Sequence, residues 1–96
     1  MAKNNIDNLK KKLVEDGFLH VYEWQDQPGT VYPPHAHKDR VSFYITKGGL
    51  RFNFGTETIE VNEGERFDVP VGKEHSAVAG SKGCSFVVGE MIEGDS

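Results

Sequence analysis

Three histidines carry the first chemical argument. His35 and His37 are separated by one residue, so an extended strand would turn both side chains to one face. Neighbouring neutral imidazoles are what a transition-metal ion needs from such a strand. Two exposed histidines on a polar strand would give the same spacing. His75 follows Pro70-Val71-Gly72-Lys73-Glu74 and opens another strand candidate. Only tertiary closure can bring it to the pair.

Other reactive side chains have plainer readings. His20 alternates with Phe18, Tyr22 and Trp24, so all four are expected on one strand face, with His20 a hydrogen-bonded structural histidine. Asp39 has the chemistry to ligate, yet it stands in an expected turn. Cys84 opens an apolar strand and reads as a small buried hydrophobe. Ser76 lacks an identifiable base and orienting acid, so a serine nucleophile is not indicated. No catalytic acid or base can be named from these residues.

The elements that must position the histidines are mostly strands. Ile6, Leu9, Leu13 and Val14 fall on a helical stripe over residues 5–16, with Asn5 placed to cap it and Gly17 to end it. Lys10, Lys11 and Lys12 fall on its solvated side. Beyond Gly17 the period changes to 2. Short strand candidates follow at Phe18–Trp24, Thr30–Pro33, Val41–Lys47, Leu50–Phe54, Thr58–Val61, Arg66–Val69, His75–Ala79 and Cys84–Met91. Gly48-Gly49 reads as a tight hairpin, and Gly80-Ser81-Lys82-Gly83 as a further turn. Short strands at this spacing predict a sandwich or barrel.

Composition bounds the rest. Ninety-six residues with 36% hydrophobic side chains suit one domain with a modest core. A net charge of −4 argues against a nucleic-acid backbone as partner. No apolar run is long enough for a membrane helix, and the first residues lack the apolar core of a secretory signal. One cysteine allows no internal disulfide, so a cytoplasmic location is expected.

The spacing of the histidines and glycines resembles the cupin superfamily. Its first motif reads G, five residues, H-x-H, three or four residues, E, six residues, G. Gly29, His35, His37 and Gly48 fall in register, with Val41 where the glutamate belongs. Its second motif reads G, five residues, P-x-G, two residues, H, three residues, N. Gly64, Pro70, Gly72 and His75 match, and Ala79 replaces the asparagine. The resemblance implies an all-β fold: a small antiparallel jelly-roll barrel over residues 18–92, an N-terminal helix over 1–17 and a polar tail over 93–96. It also implies a metal held by His35, His37 and His75, without the fourth ligand that the motif's glutamate commonly supplies.

Two readings stay open at this stage. In one, three imidazoles hold a divalent zinc, iron, nickel or copper ion, and the protein is a small-molecule enzyme of oxygen-dependent or isomerase type. In the other, the site has lost its metal and the cavity serves a non-catalytic sensor or accessory module. If Val41 faces inward, Phe43 and Ile45 do too by the period of 2, and Phe52 and Phe54 share a face of the next strand. Val41, Phe43, Phe54 and Ala77 are then the expected wall of a small-molecule pocket. Aromatic residues on the first strand and an unpartnered helix stripe suggest a homodimer. No nucleic-acid or membrane partner is expected.

Overall fold

The computed structural model describes residues 2–91, with side chains from Ile6 onward. The expected tail, 93–96, lies outside the described residues. Helix α1 spans Ala2–Glu15. It starts earlier than the stripe suggests, because Ala2 and Lys3 are good helix formers. Asn5 therefore lies within the helix rather than at its cap, and its side chain is outside the described set. The C-terminus follows expectation. Gly17 takes φ +98°. Its N–H bonds the Val14 carbonyl at 3.0 Å and the Phe18 N–H bonds the Leu13 carbonyl at 3.1 Å. That pair of bonds is a Schellman motif, and it needs a residue free of a Cβ penalty at positive φ.

Six strands follow: β1 His20–Asp26, β2 Val31–His35, β3 Val41–Asn53, β4 Thr58–Asn62, β5 Arg66–Val69 and β6 His75–Glu90. The sequence candidates run together at two places. Gly48-Gly49 is no hairpin turn, and Gly80–Gly83 does not end a strand. β3 and β6 each continue through their glycines and pair with one another on both sides. The register steps from Gly48↔Cys84 to Leu50↔Ala79, which puts residues 80–83 opposite Gly49 alone. Gly48 has φ +75°, and a Cβ there would stand 2.1 Å from the Gly83 carbonyl oxygen. Positive φ serves a hairpin or a bulge equally well, and here long-range pairing selects the bulge.

The bend builds the barrel from two strands shared by two faces. One face runs β1, the second half of β6, the first half of β3, then β5. The other runs β2, the first half of β6, the second half of β3, then β4. This is an antiparallel jelly roll. Its interior core holds Phe43, Ile45, Phe52, Val61, Val69 and Phe86. The helix packs outside the first face, where Leu13, Phe18 and Val87 are buried with Ile6, Leu9, Val21 and Tyr44 against them. The helix stripe thus finds its surface on its own barrel. Val14 is the exception and is exposed, since it lies one residue around the helix from Leu13.

Candidate metal centre

Register explains how the three histidines meet. His35 ends β2 and His75 opens β6, and the two are directly paired across the β2–β6 ladder. His37 lies just past the end of β2 rather than on the strand. One ring nitrogen from each of the three lies within 4.8 Å of the others. The ring centroids stand 4.6 Å apart for His35 and His75, 4.7 Å for His35 and His37, and 5.3 Å for His37 and His75. Asp39 is not part of this group.

Backbone carbonyls fix two of the rings. His35 Nδ1 donates to the Pro33 carbonyl at 2.8 Å, and His75 Nδ1 donates to the Lys73 carbonyl at 2.9 Å. A carbonyl can only accept, so each ring keeps its proton on Nδ1 and presents the Nε2 lone pair. Outer-shell bonds of this kind orient metal-binding histidines. His35 Nε2 and His37 Nε2 stand 3.2 Å apart. Two nitrogens bound about 2.1 Å from one ion stand roughly 3.0–3.4 Å apart at octahedral to tetrahedral angles. His37 Nδ1 is buried without a hydrogen-bond partner. Burial, reinforced by the neighbouring His35 and His75 rings, lowers the His37 pKa, against an upward pull from Glu90. A neutral imidazole is the form that ligates. The donor set fits a transition-metal ion.

The imidazoles border an interior cavity of about 310 Å³ with largely apolar walls. Val41, Phe43 and Ala77 line it, as the strand period predicts. Phe54 does not. It stands just beyond the end of β3 and packs its ring 5.4 Å from that of His75 and 6.2 Å from that of Phe52. Lys73 Nζ lies over the Phe54 ring, 5.3 Å from its centroid.

Sequence reasoning missed the polar groups of the cavity wall. Tyr22, Tyr32 and Glu90 all line it. The Tyr22 hydroxyl donates to Glu90 Oε2 at 2.8 Å, and burial with the Glu90 charge pushes its pKa up to about 12. Buried Asp26 accepts from the Tyr32 hydroxyl at 2.7 and 2.8 Å and from Trp24 Nε1 at 2.9 Å. Burial and Asp26 also raise the Tyr32 pKa. Both phenols therefore stay protonated donors. The available signal was the strand period on β1, which puts Tyr22, Trp24 and Asp26 on one face. Phe18 leaves that series because it precedes β1 and turns outward beneath the helix, in contact with Leu13. His20 is exposed, with its ring edge-on to Tyr22 at 5.3 Å, rather than hydrogen-bonded in the core. Cys84 is buried, and burial pushes its thiol up to about 12.

The family model of the cupin domain matches residues 22–89. The chain is a cupin. No curated protein matches it. Among solved structures, a cupin-2 domain containing protein from Shewanella frigidimarina is similar at a TM-score of 0.66 and 22% identity, over 75% of this cupin and 69% of that chain. The polyketide cyclase RemF from Streptomyces resistomycificus is similar at 0.61 and 29% identity, over 78% of this cupin and 56% of that chain. Bacillus subtilis oxalate decarboxylase, a protein with Mn(II) centres, is similar at 0.65 and 25% identity, with 84% of this cupin covering 23% of that chain. Among the described residues no helix is long and apolar enough to cross a membrane.

Proposed function

We propose that this cupin is a metal-dependent enzyme acting on a small molecule, with one divalent transition-metal ion held by His35, His37 and His75. The observation that carries this reading is the convergence of three oriented imidazoles at the border of an apolar cavity. With Val41 in place of a carboxylate, three neutral ligands would leave the ion its full charge; bound there, it would supply Lewis-acid polarisation of a substrate oxygen. The chain's own side chains do the rest. The Pro33 and Lys73 carbonyls hold His35 and His75 in the ligating tautomer. Phe43, Phe52 and Phe86 give the cavity apolar walls that suit an apolar substrate body. The likeness to a polyketide cyclase at 29% identity supports an enzyme over a passive binding module.

Elemental analysis of protein purified without a nickel column tests the reading. One zinc, iron, nickel or copper per chain is expected, and His37→Ala or His75→Ala should lose most of it. Equal content in wild type and both variants overturns the assignment and leaves the metal-free binding module. Homodimerisation is proposed as well, on different grounds from the helix stripe. Trp24 and Val31 are exposed on β1 and β2, strands that pair on one side only among the described residues. Light scattering at micromolar concentration should give twice the chain mass, and Val31→Lys should lower it toward one.

A further inference from the structure

The cavity holds one group whose chemistry the metal reading leaves unused. Glu90 sits on β6 directly across from Val41 on β3 and across from His20 on β1. Directly opposed residues on an antiparallel pair have Cβ atoms about 5 Å apart. A carboxylate is therefore present one strand away from the position at which the motif would place its glutamate. It faces the cavity, and its charge acts on His37.

The two tyrosines of the wall bond carboxylates that are not equivalent: Glu90 lines the cavity and Asp26 does not. Asp26 is buried, and both its oxygens are engaged: the Tyr32 hydroxyl reaches each of them across to β2, and Trp24 Nε1 donates to Oδ1. Glu90 takes a single bond, from Tyr22 to Oε2. Its Oε1 has no hydrogen-bond partner among the described residues. Among the described residues, no Ser, Thr, Cys or Lys lines the cavity to serve as an alternative base or nucleophile. Ser42 lies outside it, buried and bonded by Arg66 Nε.

We propose that Glu90 is a catalytic proton acceptor of this cavity, acting on a small enolisable carbonyl compound. The inference rests on the three-histidine reading, in which the substrate's carbonyl oxygen points at the metal centre. Glu90 Oε1 takes a proton from the carbon next to the carbonyl. That C–H bond breaks, its electron pair passes into the C–C–O system to form an enolate, and the proton bonds to Oε1. Tyr22 keeps its own proton and holds Oε2, which aims Oε1 at the substrate. In an α-hydroxy carbonyl compound the hydroxyl proton then passes to the enolate oxygen, and return of the proton from Oε1 to the former carbonyl carbon gives the isomer. No oxidant or further reactant is required.

Hydroxyacetone in D₂O is the probe. Proton NMR should show zinc-loaded wild type accelerating loss of its C–H signals beyond an equal concentration of free Zn²⁺. Glu90→Gln keeps the side-chain shape and an acceptor for Tyr22, so it should retain zinc and fold. It should slow exchange by at least about a hundredfold, the scale of a lost general base. A second readout needs no turnover. Acetohydroxamate, a non-reacting enolate mimic, titrated into cobalt-loaded protein and followed by visible absorption, should bind about tenfold more weakly to Glu90→Gln through loss of a charge-assisted hydrogen bond. Wild type that holds zinc but does not accelerate exchange overturns the role of Glu90. So do equal exchange and equal acetohydroxamate affinity in wild type and Glu90→Gln. Failure of wild type to hold zinc or cobalt instead overturns the three-histidine reading itself.

Discussion

The two sides of the β1–β6–β3 face are made by alternate residues of the same strands, yet they are packed in opposite ways. On the outside, Val87 and Leu13 are fully buried and Phe18 nearly so, with the helix laid across them. Even Gly89 is used there: a Cβ would approach the Phe18 ring to 2.9 Å. On the inside, Val41, Phe43 and Val88 border open space. The difference shows where stability resides. Filled packing beneath the helix at Leu13, Phe18 and Val87 stands beside an interior that keeps a cavity among its core side chains, and a cavity is what a ligand site needs.

Leu13→Ala should break this division most severely. It opens a hole in a filled layer, at a cost of about 2–5 kcal/mol, read as a lower urea midpoint for metal-free protein. Val41→Glu should come next. It buries a second carboxylate across from Glu90 and should destabilise metal-free protein by about 2 kcal/mol. Added Mn²⁺ should then raise its melting temperature more than that of wild type, since a carboxylate suits a harder ion. An equal rise in both would mean that position 41 does not reach the centre. Val41→Ala should have the smallest effect, about 1 kcal/mol, because a side chain beside a void has fewer contacts to lose. Equal losses for Leu13→Ala and Val41→Ala would erase the contrast.

The strands and the cavity histidines were legible in the residues, whereas the surface that the helix covers was not, because an amphipathic stripe does not say what it packs on. The three histidines could be read because motif spacing fixes them relative to turns. Their meeting depended on a pairing of His35 with His75 that local pattern cannot show. Gly48-Gly49 was misread because a hairpin and a bulge both call for positive φ. Phe18 was placed with Tyr22 because a period of 2 was carried back into the helix-ending turn. Glu90 was invisible for a different reason. It stands at a strand end outside both motifs and gains meaning only through its register with Val41.

The sharing of β3 and β6 by both faces also bears on how the chain reaches this state. Val41 must find Glu90 and Asn53 must find Ser76, so neither face can be completed from neighbouring residues alone. Loop closure of that length is unfavourable until most of the ladder is in place, and such topologies fold slowly, in milliseconds to seconds. His75 opens β6, which follows the other described strands in the chain, while His35 and His37 are already adjacent. Before β6 docks, the chain offers an ion two imidazoles, and afterwards three. Capture of a metal by the third ring would therefore slow unfolding more than it speeds folding, acting as a latch on the finished barrel.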